Sequence, residues 1–347
     1  MNDASCQISI DLLPEFGWAI QNTPVYGPGS VFQGFVNVRL TRPISADRLV
    51  LIFRGLELLD SSICTEKLNP LLFGTQRTLW ESKDGSEQLT ESSYRFPFTI
   101  QMPLVQYPPS LQHEFCKCEF RLSAYLDNVV CHRKIQYMPY TETSLLKSPL
   151  CKERSQGSDF GATLKMHALD FVPGDDLTMT LSIRGKFPVH VSAQLSQHAT
   201  ALLGNRPSLT KLIASTTTKI TTSSDSTISL PLPSDLTPTC NYSRCISLTY
   251  KLKVIVERKG PLGGIWSCEL PFEVPINIGT LGYGIRASDE LQFYTAVDTR
   301  PTAPHSELLV PRFMRAVEYE EALPRYEDTR LPSYEASTHT LPPIMTI

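Results

Sequence analysis

Residues 115–126 read Phe-Cys-Lys-Cys-Glu-Phe-Arg-Leu-Ser-Ala-Tyr-Leu, and their side chains alternate in character. Cys116, Cys118, Phe120, Leu122, Ala124 and Leu126 fall on one side of an extended chain. Lys117, Glu119, Arg121, Ser123 and Tyr125 fall on the other. Successive Cβ atoms of a strand point to opposite faces, so this period of two predicts a half-buried β-strand. The pattern recurs on either side. Val36, Val38 and Leu40 oppose Asn37 and Arg39 in 31–40; Leu177, Met179, Leu181 and Ile183 share a face in 177–185. Ile246, Leu248, Tyr250, Leu252, Val254 and Val256 alternate in 246–256, and Cys268, Leu270, Phe272, Val274, Ile276 and Ile278 in 268–278. Pro271 and Pro275 lie on the opposite face of that last run. Their missing N–H groups predict an edge strand, where the loss is tolerated.

Many short alternating runs separated by Gly/Pro turns predict an all-β chain, not a parallel α/β sheet. No long amphipathic helix is expected before residue 285, although 195–215 leaves room for a helical turn or two. The pattern also repeats: 23–40 (TPVYGPGSVFQGFVNVRL) and 169–185 (LDFVPGDDLTMTLSIRG) each run from an aromatic through a Pro-Gly turn into an alternating strand. Length agrees, because 347 residues exceed one ordinary sandwich. The expected layout is a β-sandwich over 1–146, a polar linker over 147–158, a second sandwich over 159–284 and a disordered tail over 285–347. That tail has seven prolines and no glycine, cysteine or lysine, a composition that builds no core. A short helix is expected at most around Ala316–Leu323. GTLGYG (279–284) reads as the turn leaving the second sandwich.

A net charge of −3 offers no basic excess for phosphates, so no nucleic-acid partner is expected. The start of the chain lacks the basic region and long apolar core of a signal peptide, and no apolar run spans a bilayer. Nine cysteines without an even framework fit free thiols in a reducing cytosol. HExxH, GxSxG, Walker and GxGxxG patterns are all missing, so no enzyme activity and no cofactor is expected. His113-x-x-Cys116-x-Cys118 has no second pair at ligand spacing and reads as buried thiols instead of a metal site.

Several of these stretches resemble the arrestin family. Val25-Tyr26-Gly27-Pro28-Gly29 with VFQGFVNVRL, then Pro43-Ile44 and RLVLIFRGLE, is similar to the start of an arrestin N-terminal domain. PLVQYPPSLQHEFCKCEFRLSAYL resembles a later part of that domain. FVPGDDLTMTLSI, LPLPSDLTPT, CISLTYKLKVIV and ELPFEVPINIG resemble the C-terminal domain. The likeness runs over roughly residues 6–284, with the motifs in order. It implies two tandem arrestin-like (immunoglobulin-like) sandwiches. With the tail it is similar to the arrestin-related trafficking adaptors and arrestin-domain-containing proteins. It further implies an adaptor that binds membrane-protein cargo, a transporter or receptor, and brings a WW-domain HECT-type (Nedd4/Rsp5-like) ubiquitin ligase to it. Cargo ubiquitination, endocytosis and sorting would follow. The implied location is cytoplasmic, with peripheral recruitment to plasma membrane and endosomes. The alternative within the resemblance is a retromer-like trafficking scaffold that recruits no ligase.

The tail separates the two. Leu323-Pro324-Arg325-Tyr326 and Leu331-Pro332-Ser333-Tyr334 are twin LPxY peptides. WW grooves grip a polyproline II segment through aromatic pockets, with Tyr two residues after Pro entering the second pocket. The family's usual peptide is Pro-Pro-x-Tyr. Leu in the first position keeps apolar area and loses preorganisation, so each site alone is expected to be weak. Two linked copies compensate through multivalency, by roughly 10²–10⁴-fold where geometry permits. Lys251, Lys253, Arg258 and Lys259 form a candidate cationic contact for cargo or anionic lipid, although a solvated strand face is the better account of them. Lys259 is the last lysine, so ubiquitin delivered at the tail must reach the sandwiches or the cargo.

Overall fold

A computed structural model of the chain describes residues 5–13, 19–20, 23–60, 62–63, 70–82, 87–185, 187–221, 225–258, 267–295 and 309–315. Strands are numbered in chain order. In the N-terminal sandwich, one sheet has the order β1 (Cys6–Leu12), β4 (Val31–Leu40), β9 (Ser93–Gln101), β24 (Arg312–Met314). The facing sheet runs β2 (Ala19–Ile20), β3 (Thr23–Tyr26), β13 (Val129–Tyr137), β12 (Cys116–Leu126), β6 (Arg48–Leu59), β7 (Leu71–Glu81), with β11 (Leu111–Gln112) beside β12. Two short pairs complete this half: β5 (Ile44–Ala46) with β8 (Glu87–Leu89), and β10 (Val105–Gln106) with β23 (Gln292–Phe293). The C-terminal sandwich packs β14 (Leu145–Gln156), β15 (Phe160–Ala168), β17 (Asp176–Arg184), β20 (Ser226–Pro231) against a second sheet. That sheet has the order β16 (Asp170–Phe171), β22 (Cys268–Ile278), β21 (Ile246–Arg258), β18 (Val189–Ala201), β19 (Ser208–Ile220).

The alternation in the sequence becomes the burial pattern. Every apolar residue assigned inward on β12, β17, β21 and β22 is buried. Two cores result. One joins Phe32, Phe53, Phe73, Tyr107 and Phe120 in the N-terminal half, and the other Phe160, Leu181, Leu252 and Phe272 in the C-terminal half. β22 pairs with β21 on one side and meets only the two-residue β16 on the other, which leaves Pro271 and Pro275 at an edge as their missing donors require.

Three expectations are corrected. The stretch read as a linker, 147–158, lies mostly within β14, which pairs with β15. Its faces are largely exposed on both sides, so backbone pairing holds it and no apolar alternation marks it. The stretch 195–215, given room for a helical turn, is the end of β18, a turn and most of β19. The strand pattern also does not stop at residue 285: β23 lies parallel to β10, and β24 extends the first sheet by pairing with β9. The short helix expected around Ala316–Leu323 lies outside the described residues.

Between the sandwiches the chain crosses itself. Thr280 and Leu281 donate backbone N–H bonds of 2.8 and 3.1 Å to the Thr141 carbonyl. The Thr280 hydroxyl donates to Pro139 O at 2.7 Å and accepts from Thr141 N at 2.8 Å. Gly279 makes the crossing possible, because a Cβ there would stand 2.3 Å from Thr143 Cγ2 and 2.8 Å from Thr141 O. Replacing Gly279 by Ala is expected to overpack this crossing and destabilise the chain by ~1–3 kcal/mol. A chemical-denaturation midpoint equal to that of the wild type would contradict the close approach.

Candidate functional site at the domain junction

β6 places Leu49, Leu51, Phe53, Gly55 and Glu57 on its inward face. The row is apolar until its last member, whose carboxylate has no exposed side-chain surface. Directly across the ladder, Cys118 of β12 pairs with Glu57, and Cys116 pairs with Leu59. A lone buried carboxylate is expensive, so its partners define the site.

Those partners come from two distant parts of the chain. The C-terminal sandwich contributes the 240–246 turn. Ser243 Oγ donates to Glu57 Oε1, joined by the Cys245 backbone N–H at 3.3 Å. Arg244 Nε lies 3.5 Å from Oε2 and supplies the opposite charge. The segment leaving the C-terminal sandwich contributes Tyr294, whose hydroxyl donates to Oε2 at 2.8 Å and accepts from Arg244 N at 2.8 Å. The Arg244 guanidinium stands 5.2 Å from the Tyr294 ring centroid, within cation–π range. Burial raises the Tyr294 phenol well above its ordinary value, so it remains a donor across physiological pH.

Around this polar centre lies a small third core that belongs to both sandwiches: Phe115 and Cys116 from one, Ala199, Ala201, Cys240, Cys245, Ile246 and Leu248 from the other. All eight described cysteines are free thiols. The hydrogen bond with Cys245, together with burial, raises the Cys116 thiol. Burial raises Cys118 and pushes Cys240 up to about 11, so these groups are protonated at neutral pH.

The returning segment is pinned at several further points. Tyr242 donates to Tyr107 O at 3.0 Å and meets Phe293 edge-on at 5.0 Å. Tyr107 donates to Leu309 O at 2.6 Å, and Phe313 packs on the N-terminal core. Glu142 grips the segment near its start, through an ion pair with Arg286 and a 2.9 Å bond from Ala287 N. The hydrogen bond from Arg286, then that from Ala287, holds the Glu142 carboxyl below the usual glutamate range.

Sequence reasoning placed Cys116 and Cys118 correctly in the interior and missed Glu57. The signal was present: the alternation of RLVLIFRGLE puts Glu57 in register with Leu49, Leu51 and Phe53. The cationic group on β21 is not a free cluster. Lys251 is ion-paired with Glu273 of β22, and Arg258 sits 4.7 Å over the Phe160 ring. Lys253 is exposed, with Glu273 its register partner on β22. Lys259 lies outside the described residues, as do both LPxY peptides, Leu323, Pro324, Tyr326 and Leu331, Pro332, Tyr334.

Compared with known families, residues 65–141 match the arrestin (or S-antigen) N-terminal domain and residues 161–283 match the arrestin (or S-antigen) C-terminal domain. A search of curated proteins returns no match.

Two outcomes test the junction. Glu57→Ala strips the partner from Ser243, Tyr294 and Arg244 at once and is expected to cost ~3–5 kcal/mol. Faster amide exchange at 291–295 is expected with it, and unchanged exchange there would show that Glu57 does not hold the segment. Glu142 behaves differently with pH. Its folded value lies below the ordinary one, so its contribution is complete above the glutamate range and fades as pH falls through the folded value. Acidification should therefore lower the amide protection factors at 285–288 in the wild type, and this acid response should be lost in Glu142→Gln.

Proposed function

Because the chain belongs to the arrestin family, whose members are non-catalytic adaptors and scaffolds of membrane trafficking, we propose that it is a ligase-recruiting adaptor. It binds a membrane transporter or receptor through the sandwiches and a WW-domain HECT-type ubiquitin ligase through its two LPxY peptides. The carrying observation is the conjunction of both arrestin domains with Leu323-Pro324-Arg325-Tyr326 and Leu331-Pro332-Ser333-Tyr334 in one chain. A scaffold of the retromer-like kind has no use for a repeated WW ligand.

The chemistry of the peptides sets how recruitment works. Each tyrosine buries its ring in a WW pocket while its hydroxyl keeps a polar partner. Leu323 and Leu331 fill the first pocket without the fixed φ of proline, so binding depends on having two sites and a ligase with several WW domains. Six acidic side chains between Glu318 and Glu335 raise the encounter rate with a basic WW face and make it sensitive to salt. Nine residues after Met314 reach Leu323, a span of at most about 32 Å for the tether between β24 and the first peptide. Ubiquitin therefore goes to a lysine at or before Lys259, or to the cargo, at the plasma membrane and endosomes where the cytoplasmic adaptor is recruited.

The test is capture of the full-length chain by immobilised tandem WW domains. Tyr326→Ala/Tyr334→Ala is expected to lower retention at least ~10-fold, and each single variant by less, because the surviving peptide still binds. Equal retention of wild type and double variant would assign the chain to the scaffold class instead.

A further inference from the structure

At the junction, a carboxylate oxygen of Glu57 and the sulfurs of Cys116 and Cys245 lie within 4.8 Å of one another, and all three residues are buried. We propose that these three side chains form a binding site for a borderline-soft divalent metal ion of the zinc class, shared between the two sandwiches.

The donor set selects the ion. Two thiolates and one carboxylate suit Zn²⁺, whereas Ca²⁺ and Mg²⁺ take oxygen ligands almost alone. Zinc bonds of about 2.3 Å to sulfur and about 2.0–2.2 Å to oxygen separate ligand atoms by about 3.4–3.8 Å in a tetrahedron. The cluster reaches that spacing by small side-chain adjustments. Cys116 opens β12 and Glu57 lies on β6, so two ligands sit on strands, and Cys245, directly before β21, closes the set.

Charge balance is also met. Glu57 with two thiolates carries three negative charges, and a divalent ion with the Arg244 guanidinium supplies three positive ones. Relative to the metal-free cluster, the ion takes the place of two thiol protons, which leave on binding. The Glu57 acceptor sites are all taken by hydrogen-bond donors, so ligation displaces one of them and the remaining donors keep the carboxylate in place. Tyr294 and Arg244 hold Oε2, while Ser243 Oγ and Cys245 N hold Oε1. Three protein ligands leave one position for an exchangeable group.

The same two sulfurs lie within 4.8 Å of each other, so a cross-domain disulfide is the competing outcome. Cys116 and Cys245 are only 3% and 4% exposed, which shields both thiols from an attacking oxidant or thiolate and favours the ion. A bound ion would tie the end of β6, the start of β12 and the 240–246 turn into one unit. Its binding energy would then act as junction stability.

The test uses full-length chain prepared under reducing conditions without chelator. Elemental analysis is expected to find about one zinc ion per chain, released when the chain is unfolded in denaturant with a chelator. Exchange of zinc for Co²⁺ is expected to produce thiolate-to-cobalt charge-transfer absorption. That absorption should weaken in Cys245→Ser, vanish in Cys116→Ser/Cys245→Ser, and persist in Cys118→Ser/Cys240→Ser. Should the double variant fail to fold, the wild-type cobalt spectrum decides alone. Wild-type chain that holds no zinc and shows no cobalt–thiolate band would overturn the proposal. So would a Cys116–Cys245 disulfide peptide in a non-reduced digest, which would make the pair a redox cross-link.

Discussion

A carboxylate without solvent contact sits at the end of β6, and three separate parts of the chain are positioned by the requirement to satisfy it. Glu57 belongs to the N-terminal sandwich, Ser243, Arg244 and Cys245 to the C-terminal one, and Tyr294 to the segment beyond both. Each of its oxygens receives donors from outside its own domain. Removing any donor group leaves charge or polar surface stranded in low dielectric, where a broken hydrogen bond costs far more than it does in water. The junction is thus specified by chemistry, in a region where apolar contact alone would tolerate sliding.

The consequence for architecture is that the chain beyond the C-terminal sandwich is structural before it is functional. It is clasped by Glu142 near residue 286, anchored by Tyr294 between the sandwiches, and added as a strand beside β9 at 312–314. A strand added to a sheet edge caps unpaired backbone groups. In this arrestin-family chain the strand ends at Met314, nine residues before the first LPxY stretch.

The polar centre and the thiol-rich small core meet in Glu57. That adjacency gives the carboxylate two readings at once, as a hydrogen-bonded anchor and as one corner of a donor set. The sequence argument against a metal rested on the lack of a second cysteine pair near His113, Cys116 and Cys118. Cys245 reaches Cys116 only through the docking of one sandwich on the other. Ligand spacing along a chain is informative only where a single local segment supplies the ligands.

What the sequence determined by itself is what depends on neighbours in the chain. Side-chain alternation is imposed by the pleat of one strand, so β12, β17, β21 and β22, their inward faces and the all-β class could be read directly, and the prolines marked an edge. The twin LPxY stretches are equally local, since such a pattern is written in four consecutive residues. Tertiary structure alone decided the rest. β14 is exposed on both faces and exists through its pairing with β15; β24 is three residues long and exists through β9. The partners of Glu57 lie 187 and 237 residues away. No periodicity reaches that far, because a contact between distant residues is fixed by how whole sandwiches pack and not by the geometry of any strand.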